Sequence, residues 1–261
     1  MQNILKYICE NKKKELEFTK SKYSLSSLIK LLPQKKNRNF KKLLIDSQFA
    51  KKNNLIAEIK KSSPSAGLIV DNYKPDIIAS EYERSGVGAI SILTENAFFK
   101  GNIDDMSLIS NKVSLPILRK DFIIDKYQIY ESKVFKADAI LLITSILSNK
   151  QIKDFIEIAD DIGLDCIIET HNKDEVRRAI EINYPIIGIN NRNLNTLTID
   201  TNNTISICKN IPKDFVIIGE SGIKNKNEIL NYNDIGIFNF LIGESILKSK
   251  NKSLMIDQLI K

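Results

Sequence analysis

From about residue 50 onward, short apolar runs alternate with longer segments in which apolar residues return at helical spacing. The runs predict strands at LIAEIK (from 55), AISILT (89), PILRKD (116), AILLIT (139), DCIIET (165), IIGINN (186), FVIIGE (215) and NFLIGE (239). Helices are predicted between them, over 75–86, 149–163, 172–182 and 221–236 among others. In the second of these, Ile152, Phe155, Ile156 and Ala159 stand at i, i+3, i+4 and i+7, and Gly163 is placed to end the helix. Alternation of this kind implies parallel strands joined by right-handed crossovers. Eight such units predict an α/β fold, a (β/α)8 TIM barrel, which holds about 250 residues in one domain. A doubly wound open sheet competes, but it would carry a Gly-rich phosphate loop after its first strand, and KKSSPSAG is neither GxGxxG nor a Walker sequence. Ahead of the first strand, ILKYICENKKKELEF and SLSSLIKLLPQ look helical. The expected organisation is a single barrel domain over 1–261, with 1–48 as an N-terminal helical extension that caps or flanks it.

Charge at the ends of the apolar runs changes the picture. Glu58 and Lys60 close the first, Lys120 the third, Glu169 the fifth, Asn190 the sixth and Glu220 the seventh. In a parallel barrel these ends meet on one face, where barrel enzymes keep their chemistry. Side chains alternate along a strand, so Glu58 and Lys60 share a side, while Arg119 and Asp121 point away from Lys120. One such residue is ordinarily a solvated strand end. A ring of buried charges of both signs is a poor stability device and a good means of tuning pKa values.

GESG (219–222) and GES (243–245) close the last two strands, where glycines let backbone N–H groups approach an anion. Ser63, Ser65 and Gly67, beside Lys60, could complete a phosphate cradle. Phe99 and Phe122 follow the second and third strands; core packing is their simpler reading, the rim of a pocket the alternative. His171 stands two residues after Glu169 at the start of a helix with no evident partner, and a structural role is expected for it.

Composition narrows the partners. The chain has 261 residues, 43% hydrophobic and 27% charged, as soluble globular proteins do. Its apolar runs are far shorter than the roughly 20 residues of a membrane span. The first twenty residues lack a signal-peptide core, so a cytoplasmic protein with no membrane partner is expected. Cys9, Cys166 and Cys208 have no CxxC spacing, and with a single histidine they predict neither a disulfide framework nor a zinc site. The net charge of +7 is spread along the chain, and the cluster QKKNRNFKK (34–42) lacks the series of interleaved aromatics of a stacking platform, so no nucleic-acid partner is expected.

AEIKKSSPSAG, PILRKDF, IGINNRNL and GESGI occur in an order that resembles the indole-3-glycerol phosphate synthase family, over essentially the whole chain. The resemblance implies conversion of 1-(o-carboxyphenylamino)-1-deoxyribulose 5-phosphate with release of carbon dioxide and water, using no cofactor and no metal. It implies that Lys120 is the general acid on the substrate ketone and Glu169 the base for later proton removal and dehydration. Lys60 would hold the substrate carboxylate or take part in proton transfer itself. Glu58 and Glu220 would orient these groups, and Asn190 would hydrogen-bond the reacting centre. Ser63, Arg192, Ser221, Gly222 and Gly243 fall where the family binds phosphate, and Phe99, Phe122, Leu141 and Leu197 where it encloses the anthranilate ring. Two positions depart from the family pattern: Lys136 replaces a usual glycine on the far side of the barrel, and Glu95 stands where aspartate is common. A lysine of ordinary pKa is a poor proton donor at neutral pH; apolar walls and Lys60 push that of Lys120 down, and three carboxylates push back. The working unit is expected to be a monomer, with weak homodimerisation as the alternative.

Three rival functions remain open. The preceding isomerase of the same pathway would use a cysteine/aspartate pair, a setting Cys166 lacks. A Schiff-base aldolase would use a buried strand-end lysine. A nucleic-acid-binding protein would leave the strand-end carboxylates without a purpose.

Overall fold

The computed structural model describes residues 4–33, 37–194, 196–209 and 211–261. Barrel strands are β1 (Asn54–Ile59), β2 (Ala89–Leu93), β3 (Ile117–Lys120), β4 (Ala139–Ile143), β5 (Asp165–Thr170), β6 (Ile186–Asn190), β7 (Val216–Glu220) and β8 (Asn239–Ile242). All eight are parallel neighbours in chain order, and β1 closes the ring by pairing both β2 and β8, with Ile56 opposite Ala89 and Leu55 opposite Phe240. The (β/α)8 barrel expected from the pattern is therefore present. Almost every strand residue is buried, because the inner face fills the barrel and the outer face lies under helices. This is why the strands read as continuous Ile-rich runs rather than alternating ones.

Helices α4 (Pro75–Arg84), α7 (Asn149–Asp161), α8 (Lys173–Ile182) and α10 (Lys226–Asn233) match the predicted segments. Ser148 and Gln151 form a capping box on α7, Asn172 caps α8 and Asn225 caps α10. Gly163, at φ +69°, turns the chain out of α7. Helices α5 (Asp104–Ser110), α6 (Lys126–Val134), α9 (Asn202–Cys208), α11 (Glu244–Leu247) and α12 (Lys252–Ile260) complete the outer layer. The α6 segment KYQIYESKV shows little apolar periodicity because several of its buried positions are polar. The Gln128 carbonyl, Glu131 and Ser132 all accept from the Arg119 guanidinium, the Gln128 side chain donates to the Phe122 carbonyl, and Lys133 donates to the Gly163 carbonyl. Such fixed partners offset the desolvation of those groups.

The segment before β1 covers both ends of the barrel. Helix α1 (Ile4–Lys22) lies at the C-terminal mouth, where Ile4, Leu5 and Ile8 reach the central cavity. Lys12, only 2% exposed, anchors it through Asp121 at 3.2 Å. Helix α2 (Leu25–Lys30) packs on α6 around Leu16, Leu28 and Tyr127. A third helix that the pattern did not single out, α3 (Phe40–Phe49), closes the opposite end: Lys41 donates its backbone N–H to Asp165 and Asn239 donates to the Leu44 carbonyl. Residues 34–36 of the basic cluster lie outside the described residues; its aromatic, Phe40, is fully buried in the core.

Lys136 stands just before β4, at the end remote from the cavity, with φ +67° and its ammonium on Asn111 Oδ1. A left-handed backbone costs a side-chain-bearing residue about 1 kcal/mol relative to glycine. Lys136→Gly is therefore expected to raise the free energy of urea unfolding by about that amount and leave turnover unchanged; lower stability would contradict this.

Candidate active site

The strand-end charges meet inside the barrel mouth. Lys120 Nζ lies 2.8 Å from Glu220 Oε2 and 3.1 Å from Glu169 Oε2. Glu58 pairs with Lys60, whose Cα lies one residue past β1 rather than within it. Arg119 and Asp121 point outward as strand alternation requires, with Arg119 held by Asp121 at 3.0 Å and Glu131 at 2.8 Å. Two separate charge clusters thus occupy the two faces of β3, one around the cavity and one under α1 and α6.

Burial sets the protonation of the inner cluster against its Coulomb interactions. It disfavours the Lys120 ammonium, but Glu169, Glu220 and Glu58 outweigh it and hold the pKa above the ordinary lysine value. The downward pull expected from apolar walls and Lys60 therefore loses to the carboxylates. Burial also opposes charge on Glu169, but Lys120 and His171 overcome it and keep that carboxyl well below its usual range. At Glu220, burial together with the neighbouring Glu169 carboxylate outweighs Lys120 and raises the pKa to about 7. Glu58 is kept below its ordinary value because Lys60, Lys120 and Arg192 overcome its desolvation. One strongly ionised glutamate and one poised near neutrality flank a single ammonium, the kind of divided environment that assigns acid and base roles.

A cavity of about 550 Å3 lies above this cluster. Glu58, Lys60, Lys120, Glu169 and Asn190 form its charged and polar floor, and Phe99, Phe122, Leu141 and Leu197 give it apolar wall. The two phenyl rings are 6.3 Å apart, so they face the cavity as a pair rather than packing separately. Ser63, Arg192, Ser221, Gly222 and Gly243 border it as well. Glu220 alone of the expected set does not reach the cavity; it lies beneath the floor and acts on Lys120 from below. Gly188 on β6 makes that position possible, since a Cβ there would stand 2.2 Å from Glu220 Oε1. Gly243 does the same for Glu58, with its virtual Cβ 2.6 Å from Glu58 Oε1.

The loops after β1, β6, β7 and β8 bring their polar groups to one side of the cavity. Arg192 donates to Ser65 Oγ at 2.9 Å and to the Leu197 carbonyl at 3.1 Å, tying the first loop to the sixth. Ser63 Oγ accepts from the backbone N–H of Ala66 and so shapes the first loop. Ser221 and Gly222 both have positive φ, at 63° and 87°. A Cβ at Gly222 would also strike Ile199 and Thr201, so only glycine fits this turn. Lys224 and Lys248, not identified from the sequence, line the cavity here too. Arg192, Lys224 and Lys248, with the backbone turns at Gly222 and Gly243, make this a setting for a phosphate. Among the described residues, no group of three or more His, Cys, Asp or Glu is arranged to hold a metal ion, and no helix is long and apolar enough to cross a membrane.

Two further residues matter more than their sequence reading suggested. Glu95 reads as a conservative change of charge, yet it is buried and accepts hydrogen bonds from the backbone N–H groups of Ala97, Phe98 and Phe99. It therefore shapes the loop that carries the Phe99 ring. Glu95→Ala is expected to raise KM by about tenfold, roughly 1.4 kcal/mol of lost wall, while changing kcat less than threefold. An unchanged KM would remove Glu95 from this role. His171 is not without partners: Nε2 is 3.0 Å from Glu169 Oε1 and Nδ1 is 3.0 Å from Glu175 Oε2. The i, i+4 spacing of His171 and Glu175 was the available signal.

Set beside known proteins, the chain matches the family model described as indole-3-glycerol phosphate synthase over residues 5–259. The chain belongs to the indole-3-glycerol phosphate synthase family. A relative of that name from Endomicrobium trichonymphae is 46% identical over 224 residues, covering 85% of this chain and 84% of the relative. The Legionella pneumophila relative of the same name is 39% identical over 260 residues, covering 100% of this chain and 99% of its own. Among solved structures, 3-hexulose-6-phosphate synthase from Salmonella typhimurium superposes with a TM-score of 0.65 at 13% identity, covering 79% of this chain and 96% of that one. At that identity the likeness concerns the barrel alone.

Proposed function

We infer that this site carries out the family reaction: it closes the indole ring of 1-(o-carboxyphenylamino)-1-deoxyribulose 5-phosphate to give indole-3-glycerol phosphate, in tryptophan biosynthesis. The observation that carries the assignment of roles is the Lys120 ammonium, fixed between Glu169 and Glu220 on the floor of a cavity with apolar walls and a cationic side. Arg192 and the amides near Ser221, Gly222 and Gly243, with Ser63, receive the phosphate. Phe99, Phe122, Leu141 and Leu197 enclose the aromatic ring and bring its carboxyl-bearing carbon to the ketone. Lys60, paired with Glu58, holds the substrate carboxylate.

As the ring carbon attacks, negative charge grows on the ketone oxygen, and Lys120 stabilises it and hands over its proton. The raised pKa of Lys120 does not forbid this transfer, because an alkoxide is a far stronger base than an amine. Loss of carbon dioxide restores the aromatic ring. Glu169, ionised throughout the working range, then takes the proton from the adjacent carbon as the hydroxyl leaves as water. Glu220 fixes Lys120 from below, and Asn190, whose Oδ1 accepts the Arg192 backbone N–H, presents its amide to the reacting centre. The working unit we infer is a monomer in the cytoplasm.

A Schiff-base aldolase would use the same lysines differently. Turnover in the presence of borohydride is expected to yield carbon dioxide and indole-3-glycerol phosphate in equal amounts, with no mass increment on the protein. A reduced adduct on Lys60 or Lys120 would overturn the acid–base reading.

A further inference from the structure

His171 is the chain's single histidine, and the inferred catalytic steps leave it unused. Its ring bridges two carboxylates on different elements, Glu169 on β5 and Glu175 on α8. On the inner side the 3.0 Å approach to Glu169 Oε1 is a contact of charge rather than an aligned hydrogen bond. The other oxygen of Glu169 is the one bound to Lys120. On the outer side Glu175 Oε2 also accepts from Thr144 Oγ1 and the His171 backbone N–H, while its Oε1 accepts from Asn172. His171 and Glu175 line a second, polar cavity of about 290 Å3, bordered by Asn172, Asp200 and Asn203. Lys120–Glu169–His171–Glu175 is thus a continuous file of ionisable groups from the catalytic floor to this second cavity, which adjoins the first along Leu5, Asn190 and Leu194.

The inferred ring closure gives such a file something to carry, and a role for the file therefore rests on that reading. The substrate carboxylate departs as neutral carbon dioxide, its bonding pair restoring the aromatic ring. The ketone oxygen gains two protons and leaves as water, while one proton is removed from carbon to form the double bond. Two protons in and one out means that each turnover consumes one proton, which solvent must supply to a site covered by substrate.

We propose that His171 is the positioning and proton-relay residue of this site, holding the Glu169 carboxylate and linking it through Glu175 to the second cavity, by which the consumed proton enters. Glu169 gives the proton it takes from carbon to the departing hydroxyl. The Lys120 amine, which has spent its proton on the ketone oxygen, is then reprotonated from His171 Nε2 through the Glu169 carboxylate, and Nδ1 is resupplied along Glu175 by water at that cavity. The contact to Glu169 tightens into a hydrogen bond as the site fills, as catalytic contacts commonly do on substrate binding. Two charged groups, Glu169 and Glu175, touch the ring; Lys120 stands beyond Glu169, and Asp200 borders the outer cavity. Burial opposes the imidazolium, but Glu169 and Glu175 outweigh it and raise its pKa to about 9, so the ring is charged at neutral pH.

Two measurements on the full chain test this. In His171→Gln, kcat for indole-3-glycerol phosphate formation is expected to fall by about 10²-fold, the lower end of a general acid–base contribution. KM should stay within about twofold, because no contact with substrate is lost. The fall should deepen as pH rises toward about 9, while the wild-type ring still holds its proton, and added imidazole at fixed pH and ionic strength should restore kcat in proportion to its concentration. A purely structural role would show no such rescue. Unchanged kcat, or loss without rescue, overturns the proposal. Independently of activity, the single imidazole resonance of the wild type should titrate well above the ordinary 6.5 or so, and Glu175→Gln should lower its midpoint. Titration near the ordinary value, unmoved by Glu175→Gln, would break the link between the two carboxylates even if the variant misfolds. Absence of product from the wild type would instead count against the inferred reaction, with the resonance still deciding the connection.

Discussion

In Lys120→Met, formation of indole-3-glycerol phosphate is expected to fall by about three orders of magnitude while the barrel remains folded. Removal of a general acid commonly costs about 10²–10⁴-fold, and here the same atom also neutralises two buried carboxylates. Methionine keeps most of the apolar length of the side chain. Charge balance is what changes. Without the ammonium, Glu169 and Glu220 cannot both stay ionised at close range, and Glu220, already at about 7, rises further. A carboxyl with a folded pKa above its unfolded value is stable as the neutral acid below that unfolded value. Its contribution is lost as pH climbs through the folded pKa. The stability deficit of Lys120→Met should therefore be small at pH 5 and grow toward pH 8, reaching about 3 kcal/mol, as when one partner of a buried pair is removed. Urea unfolding at both pH values measures it. Lys60→Met should mainly raise KM. If instead Lys60→Met abolished turnover and Lys120→Met kept it, the two lysines would exchange roles.

Gly188→Ala is expected to damage both stability and turnover. Its Cβ would stand 2.2 Å from Glu220 Oε1 and 3.1 Å from Ile167 Cγ2. Glu220 is pinned by Lys120 and cannot withdraw without breaking their 2.8 Å contact. Overpacking of this kind costs about 1–3 kcal/mol. Displacement of Lys120 should also reduce kcat by about tenfold or more with little change in KM, since a misplacement of 1 Å can cost as much as 10²-fold. Shortening the partner tests the cause: Gly188→Ala combined with Glu220→Asp should recover part of the stability lost by the single changes. Their coupling should exceed the 0.3–0.5 kcal/mol or so within which independent sites add. Strict additivity would contradict the steric link.

Much of this site was legible in the chain because strand periodicity is simple. Glu58 and Lys60 two residues apart, or Lys120 between outward-facing Arg119 and Asp121, need only alternation and a closed barrel to be placed. The place of Ser221, Gly222 and Gly243 beside the cavity was legible for the same reason, since they follow two strand ends. What escaped depended on distances between segments. The raised pKa of Lys120 is a balance of burial against three carboxylates, and no sequence pattern weighs those contributions. Lys224 and Lys248 look like surface lysines and do stay exposed, yet both border the cavity. His171 reads as a structural residue, although Glu175 stands i+4 from it on a helix and Glu169 two residues before it. Gly188, unusual inside an Ile-rich strand, was a sign of close approach whose partner only the folded barrel reveals. α3 was hidden by a stretch of lysines and asparagines around Phe40 and Leu44, the pair that buries it.

The most direct test of the central claim is the fluorescence of indole-3-glycerol phosphate formed from the carboxyphenylamino-deoxyribulose phosphate, with EDTA present. Wild type, Lys120→Met and Glu169→Gln are compared after their folding is verified by circular dichroism. Product from the wild type, with both variants reduced by about 10²-fold or more, is the result expected of a floor on which Lys120 gives a proton and Glu169 takes one. Folded wild type without product, or variants that keep its rate, would contradict that assignment.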